Sequence, residues 1–296
     1  MHFTRRNFIK SAALQCAALA ALRPEARAAA NSSPSYVLGK SAMRLGTVSY
    51  NLAKDWDIPT LIKNCVETGF QGVELRTTHR HGVEMSLGAG ERAEVRRRFA
   101  DSPVELWGLG SIFDYHTPDQ ARLRKDIEET KAYLLLARDV GASGIKVRPN
   151  ALPPEVPVEK TLEQIGRSLR EVGAFARDHG QEIRVEVHGR GTALLPNIRK
   201  IMDIADHPAV VVCWNSNPTD LEGAGFDANF DLVKHKIGAV HLRDLYVDDY
   251  PFRRLFTRLK EIGYKGYCLA EIPESNDPLR IMRYFRSQWL SYQGLL

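Results

Sequence analysis

The chain has 296 residues, 44% hydrophobic and 26% charged, with 41 Lys and Arg against 36 Asp and Glu for a net charge of +5. Residues 1–30 carry Arg5, Arg6, Lys10, Arg23 and Arg27 against Glu25, so the remainder stands at only +1 and offers no basic face for nucleic acid or an anionic membrane. Four cysteines, none in a CxxC or Cys/His spacing, exclude a disulfide framework and a thiolate zinc site.

The N-terminal stretch MHFTRRNFIKSAALQCAALAALRPEARAAA places a twin arginine before Phe8 and Lys10, then a short apolar run and a small-residue end. That order predicts a cleavable twin-arginine export signal over residues 1–30, with the twin-arginine export machinery as partner and a periplasmic or otherwise exported destination. The apolar run is too short for a membrane anchor, and no later segment is long and apolar enough to span a bilayer. Residues 31–41, rich in Ser with Pro34 and Gly39, read as a flexible leader. Residues 42–296 then form one domain.

Within that domain, short β-branched runs alternate with longer helical patterns. The strands are MRLGTVSY from Met43, GVELRT from Gly72, VELWGLGSI from Val104, GIKVRP from Gly144, IRVEVHG from Ile183, VVVCWN from Val210, IGAVHLRDL from Ile237 and GYCLAEIP from Gly266. Amphipathic helices are predicted between them, such as 119–139 and 159–178, with Gly69, Gly141, Gly180 and Gly263 as left-handed helix ends. MRYFRSQWLSYQ, with Met282, Phe285, Trp289 and Leu290 on one stripe, is expected to pack under the domain as its last helix. Cys65, Cys213 and Cys268 fall inside apolar patterns and read as buried thiols. Eight β-α units predict a single (β/α)8 TIM barrel, with a doubly wound sheet as the alternative.

In such a barrel the chemistry sits at the C-terminal strand ends. Those ends carry Glu74 on the second strand, Lys146 and Arg148 on the fourth, Glu186 and His188 on the fifth and Asn215 on the sixth. His241 and Arg243 end the seventh and Glu271 the eighth. Ionisable groups inside apolar strands are costly unless paired or metal-bound. Glu186, Asn215, His241 and Glu271 come from four adjacent strands and can meet around one point, as a hard O/N donor set for Mn2+, Co2+ or Mg2+ rather than Zn2+. The competing reading is a salt-bridge ring, with Glu186 paired to Arg148 or Arg190 and Glu271 to Lys146 or Arg243.

TGFQGVELR, closing on Glu74, together with VEVHG, AVHLRD and GYKGYCLAEIP, resembles the xylose isomerase-like barrels, the sugar phosphate isomerase/epimerase group that also includes endonuclease IV. The likeness spans Met43 to about Tyr284. In the group's ketose 3-epimerases a Glu, Asp, His and Glu hold the metal and the two glutamates move the proton. The resemblance thus implies Glu186 and Glu271 as acid/base residues, and as metal ligands with His241. Asn215 stands in the aspartate's place, and Pro218 where the group often has a histidine.

The expected activity is metal-dependent isomerisation or epimerisation, or a related elimination, by proton abstraction beside the carbonyl of a carbohydrate. Export favours a free sugar or keto-sugar over a phosphorylated one, while Lys146, Arg148, His79 and Arg243 leave room for an acidic substrate. Glu74, Lys146, Arg148, His188, Asn217 and Arg243 are candidate substrate contacts, and Trp107, Phe113, Tyr115, Trp214 and Tyr246 candidate stacking surfaces. The alternatives are a barrel that has lost catalysis and binds a carbohydrate or partner, for which Asn215 argues, and a metal-free glycoside hydrolase using Glu186 and Glu271. A nuclease is disfavoured by the charge and by the single histidine at the four-strand site.

Overall fold

In the computed structural model, which describes residues 37–296, the eight apolar runs close into one parallel barrel in chain order. The strands are β1 (Arg44–Val48), β2 (Gly72–Arg76), β3 (Glu105–Gly110), β4 (Gly144–Val147), β5 (Glu182–Glu186), β6 (Val210–Asn215), β7 (Ile237–Leu242) and β8 (Tyr267–Ala270). Parallel neighbours cannot be joined by a tight turn, so helices return the chain each time. They are α1 (Ile58–Thr68), α2 (Ala89–Ala100), α3 (Gln120–Val140), α4 (Val158–Asp178), α5 (Leu195–Ala205), α6 (Phe226–Val233), α7 (Phe252–Glu261) and α8 (Pro278–Tyr292). β8 pairs with β1 from Arg44↔Tyr267 to Thr47↔Ala270, which closes the barrel and excludes the doubly wound alternative. The export signal predicted over 1–30 lies outside the described residues, as do leader residues 31–36.

The helices form as their sequences dictate. Asp57 and Asp119 cap α1 and α3 by accepting from the N–H groups of Thr60 and of Ala121 and Arg122, while Gly69 and Gly141 end them at φ 76° and 89°. On α4, Leu162, Ile165, Leu169 and Val172 form the buried stripe, each contributing about 1.5–3 kcal/mol of burial. α8 buries Met282, Phe285, Trp289 and Leu290 within the fold, as expected, and Phe285 meets Phe70 at 6.3 Å between ring centroids. Cys65, Cys213 and Cys268 are buried free thiols.

Alternation along each strand sends every second side chain into the barrel. The interior is plugged by Val48, Trp107, Cys213, Ala239, Tyr267 and Leu269. Glycines on neighbouring strands make room for the plug and for the Arg184 guanidinium. A Cβ on Gly72 would lie 2.5 Å from the Tyr267 ring, and one on Gly108 would lie 2.6 Å from Arg184 Nη1. Arg184 sits 3.5 Å over the Trp107 ring and donates to Trp107 O, Ser143 Oγ and Glu182 Oε2, so its buried charge is both stacked and paired. Above this plug lies a polar layer at the C-terminal strand ends.

Candidate active site

The polar layer is built on an i, i+2 rule that runs around the mouth. Val48 and Tyr50 at the end of β1, Glu74 and Arg76 on β2, Lys146 and Arg148 at the end of β4, Glu186 and His188 at the end of β5, and Asn215 and Asn217 at the end of β6 all line one cavity of about 410 Å³, with Glu271 just beyond β8. On β3, Gly110 leaves room for Glu74, whose Oε1 a Cβ there would crowd at 3.0 Å.

His241 is wholly buried between carboxylates. Its Nε2 is 3.5 Å from Glu74 Oε1, and its Nδ1 is 3.5 Å from Glu271 Oε2 and 3.9 Å from Glu186 Oε1. None of these is a formed hydrogen bond: both imidazole nitrogens and both Glu74 oxygens are buried without a partner. Ligand atoms of Glu186, His241 and Glu271 lie within 4.8 Å of one another, so the three can hold a cation. Orphaned buried imidazole nitrogens beside carboxylates are what a divalent ion would satisfy, and the donor set fits one.

Lys146 Nζ donates to Glu186 Oε2 at 2.7 Å, and Asn215 Nδ2 donates to Glu186 Oε1 at 3.2 Å. Burial would raise the Glu186 pKa, but Lys146 and His241 bring it down to about 2, so it is a carboxylate at neutral pH. Burial likewise opposes charge on Lys146, and Glu186, Glu74 and Glu271 outweigh it and raise its pKa. Burial pulls His241 down, whereas Cys213, Glu74 and Glu271 lift it well above its ordinary value.

The anticipated salt-bridge ring takes a different form. Glu186 pairs with Lys146 rather than Arg148 or Arg190, and Arg243 turns from the mouth to Asp249 at 2.8 Å, so it does not line the cavity. His79 is held by Ser49 Oγ at 2.9 Å and stacks on Tyr50; burial, with His81 and Arg76 nearby, pushes its pKa down to about 4. Asn217 lines the cavity, although its Nδ2 is committed to Val187 O at 2.6 Å.

The aromatic residues mostly depart from expectation. Trp107 belongs to the barrel plug, and Tyr115 is buried with its hydroxyl on Thr130. Phe113 packs edge-on against Tyr133. Trp214 lies between the inward-facing Cys213 and Asn215, so it points outward, onto Phe226 and Phe230. Tyr246 is exposed and lies off the cavity wall. Tyr50 and Arg76 were missed, though applying the i, i+2 rule to Val48 and Glu74 finds both.

Residues 62–288 match the family described as Xylose isomerase-like TIM barrel. The chain belongs to that family. The fold is also that of the 3-keto-D-glucoside 4-epimerase YcjR from E. coli in its apo form, at TM-score 0.70 and 19% identity over 84% of this chain and 99% of that one. An L-ribulose 3-epimerase matches at TM-score 0.71 and 15% identity, covering 85% and 95% of the two chains. IOLI protein with a bound zinc atom matches at TM-score 0.70 and 14% identity, covering 85% and 98%. No curated protein sequence matches the chain.

Proposed function

We propose that this xylose isomerase-like barrel is an exported, divalent-metal-dependent isomerase or epimerase that removes a proton beside the carbonyl of a sugar or keto-sugar. The observation that carries the reading is the Glu186, His241 and Glu271 cluster, with ligand atoms within 4.8 Å, of which the two glutamates line the cavity. Asn215 completes the ligand set if its amide turns its oxygen, now directed away from Glu186, toward the ion. The hard donors place Mn2+, Co2+ or Mg2+ ahead of Zn2+. When bound, the ion supplies polarisation of the substrate carbonyl and compensates the negative charge that builds on its oxygen.

The chain's own residues divide the remaining work. The Glu271 side chain is 23% exposed while His241 and Glu186 are almost fully shielded, so it is the carboxylate with access to a substrate C–H. Glu186 flanks the other side, tied to the Lys146 ammonium, and together they can return a proton to the opposite face. The same proton removal leads to elimination when a leaving group sits on the next carbon. The N-terminal twin arginine supports export to the periplasm by the twin-arginine route and hence a substrate met outside the cytoplasm.

The test is solvent exchange: the Mn2+-supplemented chain with D-fructose in D2O, followed by loss of the carbon-bound hydrogen signal beside the ketone. Exchange is expected with the wild type and not with Glu271→Gln, which should still fold. Normal exchange by that variant would remove Glu271 from the acid/base role.

A further inference from the structure

We propose that the substrate carries an anionic group, a carboxylate or a phosphate, held by the Arg148 and Arg76 guanidiniums that line the cavity. The inference deepens the proposed function and rests on it. Its basis is an imbalance of charge around the cavity. The carboxylates Glu74, Glu186 and Glu271 share its wall with Lys146, Arg76 and Arg148.

Other cations associated with the barrel interior and mouth are already committed. Lys146 is paired to Glu186, Arg184 to Glu182 beneath the site, and Arg243 to Asp249 away from it. Arg148 and Arg76 are different. Among the described residues neither has a carboxylate within ion-pair distance. Arg148 Nε is buried with no hydrogen-bond partner, and Arg76 donates only to Thr77 O and Thr78 Oγ1. The buried Nδ1 of His188 also lacks a partner.

The charge balance points the same way. With His241 neutral as a ligand, the three carboxylates of the cavity are matched by Lys146 and one divalent ion. The two guanidiniums are then left without a counter-charge, Arg76 lying 5.3 Å over the Tyr50 ring, in a partly enclosed cavity where charge is poorly screened. A planar fork of donors with no protein acceptor suits a carboxylate or phosphate. Because the reacting carbonyl belongs at the ion, the anionic group is carried on another carbon, and carbon 6 is the terminal position to vary.

Three ligands that differ only at carbon 6 test this: D-fructose, D-fructuronate and D-fructose 6-phosphate, titrated calorimetrically into the Mn2+-loaded chain. At least one anion is expected to bind about tenfold or more tighter than D-fructose, and the preferred one identifies carboxylate or phosphate. Arg148→Gln should remove most of that advantage, and Arg148→Lys should keep part of it. Anions that bind no better than D-fructose, including no binding by any of the three, overturn the proposal without recourse to a variant. So does an advantage that survives in the Arg76→Gln/Arg148→Gln double variant. Proton exchange on D-fructose with no gain from either anion would sink this inference and leave the proposed function standing. An anion preference lost in Arg148→Gln, in a chain that neither holds metal nor exchanges protons, would do the reverse.

Discussion

The Lys146 ammonium lies 2.7 Å from the Glu186 carboxylate, and both side chains are more than nine-tenths shielded from solvent. They come from the adjacent strands β4 and β5, and each is the other's nearest opposite charge where little of either is exposed. Such a pair is weak evidence for stability while intact, yet breaking it leaves a lone buried charge.

Lys146→Met should therefore destabilise the metal-free chain at pH 7 by about 3 kcal/mol. In the wild type the folded Glu186 pKa is depressed, so its contribution to stability is present above the ordinary carboxylate range and lost as pH falls toward about 2. In the variant, burial acts unopposed by Lys146 and pushes that pKa up, so acidification relieves the strain. Urea unfolding at pH 7 and pH 4 should show the gap between the two proteins shrinking at pH 4. A constant gap would mean that the ammonium is not compensating Glu186.

Asn215→Asp is expected to trade apo stability for metal affinity. The Asn215 amide now donates to Glu186 Oε1, whereas a carboxylate there would repel it until a cation lies between them. A third anionic ligand should raise Mn2+ affinity by about tenfold or more. The melting temperature without metal should fall and the Mn2+-induced rise should grow. A rise no larger than in the wild type would remove Asn215 from the ligand set.

Asp220 supports the rim from behind and predicts a pH effect of opposite sign. It is fully buried, and its Oδ2 accepts from the Asn217 N–H at 3.0 Å and from the Tyr250 hydroxyl at 2.6 Å, while Oδ1 has no partner. Burial pushes its pKa up to about 7 despite those bonds. Between the ordinary carboxylate range and pH 7 the folded state thus holds a proton that the unfolded state has lost, so the Asp220 contribution falls as pH rises and levels off above 7. Asp220→Asn should be more stable than the wild type at pH 8, by a few kcal/mol, and should show no such gain at pH 4. Equal differences at both pH values would contradict the assignment.

The barrel was legible because each strand is a short β-branched run, and because a helix end such as Gly69 or Gly141 needs the left-handed conformation that glycine supplies. Glu74, Lys146, Glu186, Asn215 and Glu271 were legible as polar residues at the ends of apolar strands. Which cation would meet which carboxylate was not. Lys146 and Arg148 differ by one strand step, and only the three-dimensional register decides that the lysine reaches Glu186 while Arg148 remains without a carboxylate partner. Trp214 misled because an aromatic beside a site residue on a strand faces the opposite way, here onto the helix layer. The role of Arg184 depends on contacts with Trp107 and Ser143 on other elements, which no local pattern encodes.

The most direct test of the central claim, that Glu186, His241 and Glu271 hold a divalent ion, is the metal content of the chain purified without chelator. It should be measured beside a Glu186→Gln/Glu271→Gln variant with the same circular dichroism. The account predicts about one Mn, Co, Mg or Zn per chain, lost in the variant. A wild-type chain that retains no ion after incubation with excess Mn2+, Co2+ and Mg2+, or a variant that binds as well as the wild type, would contradict it.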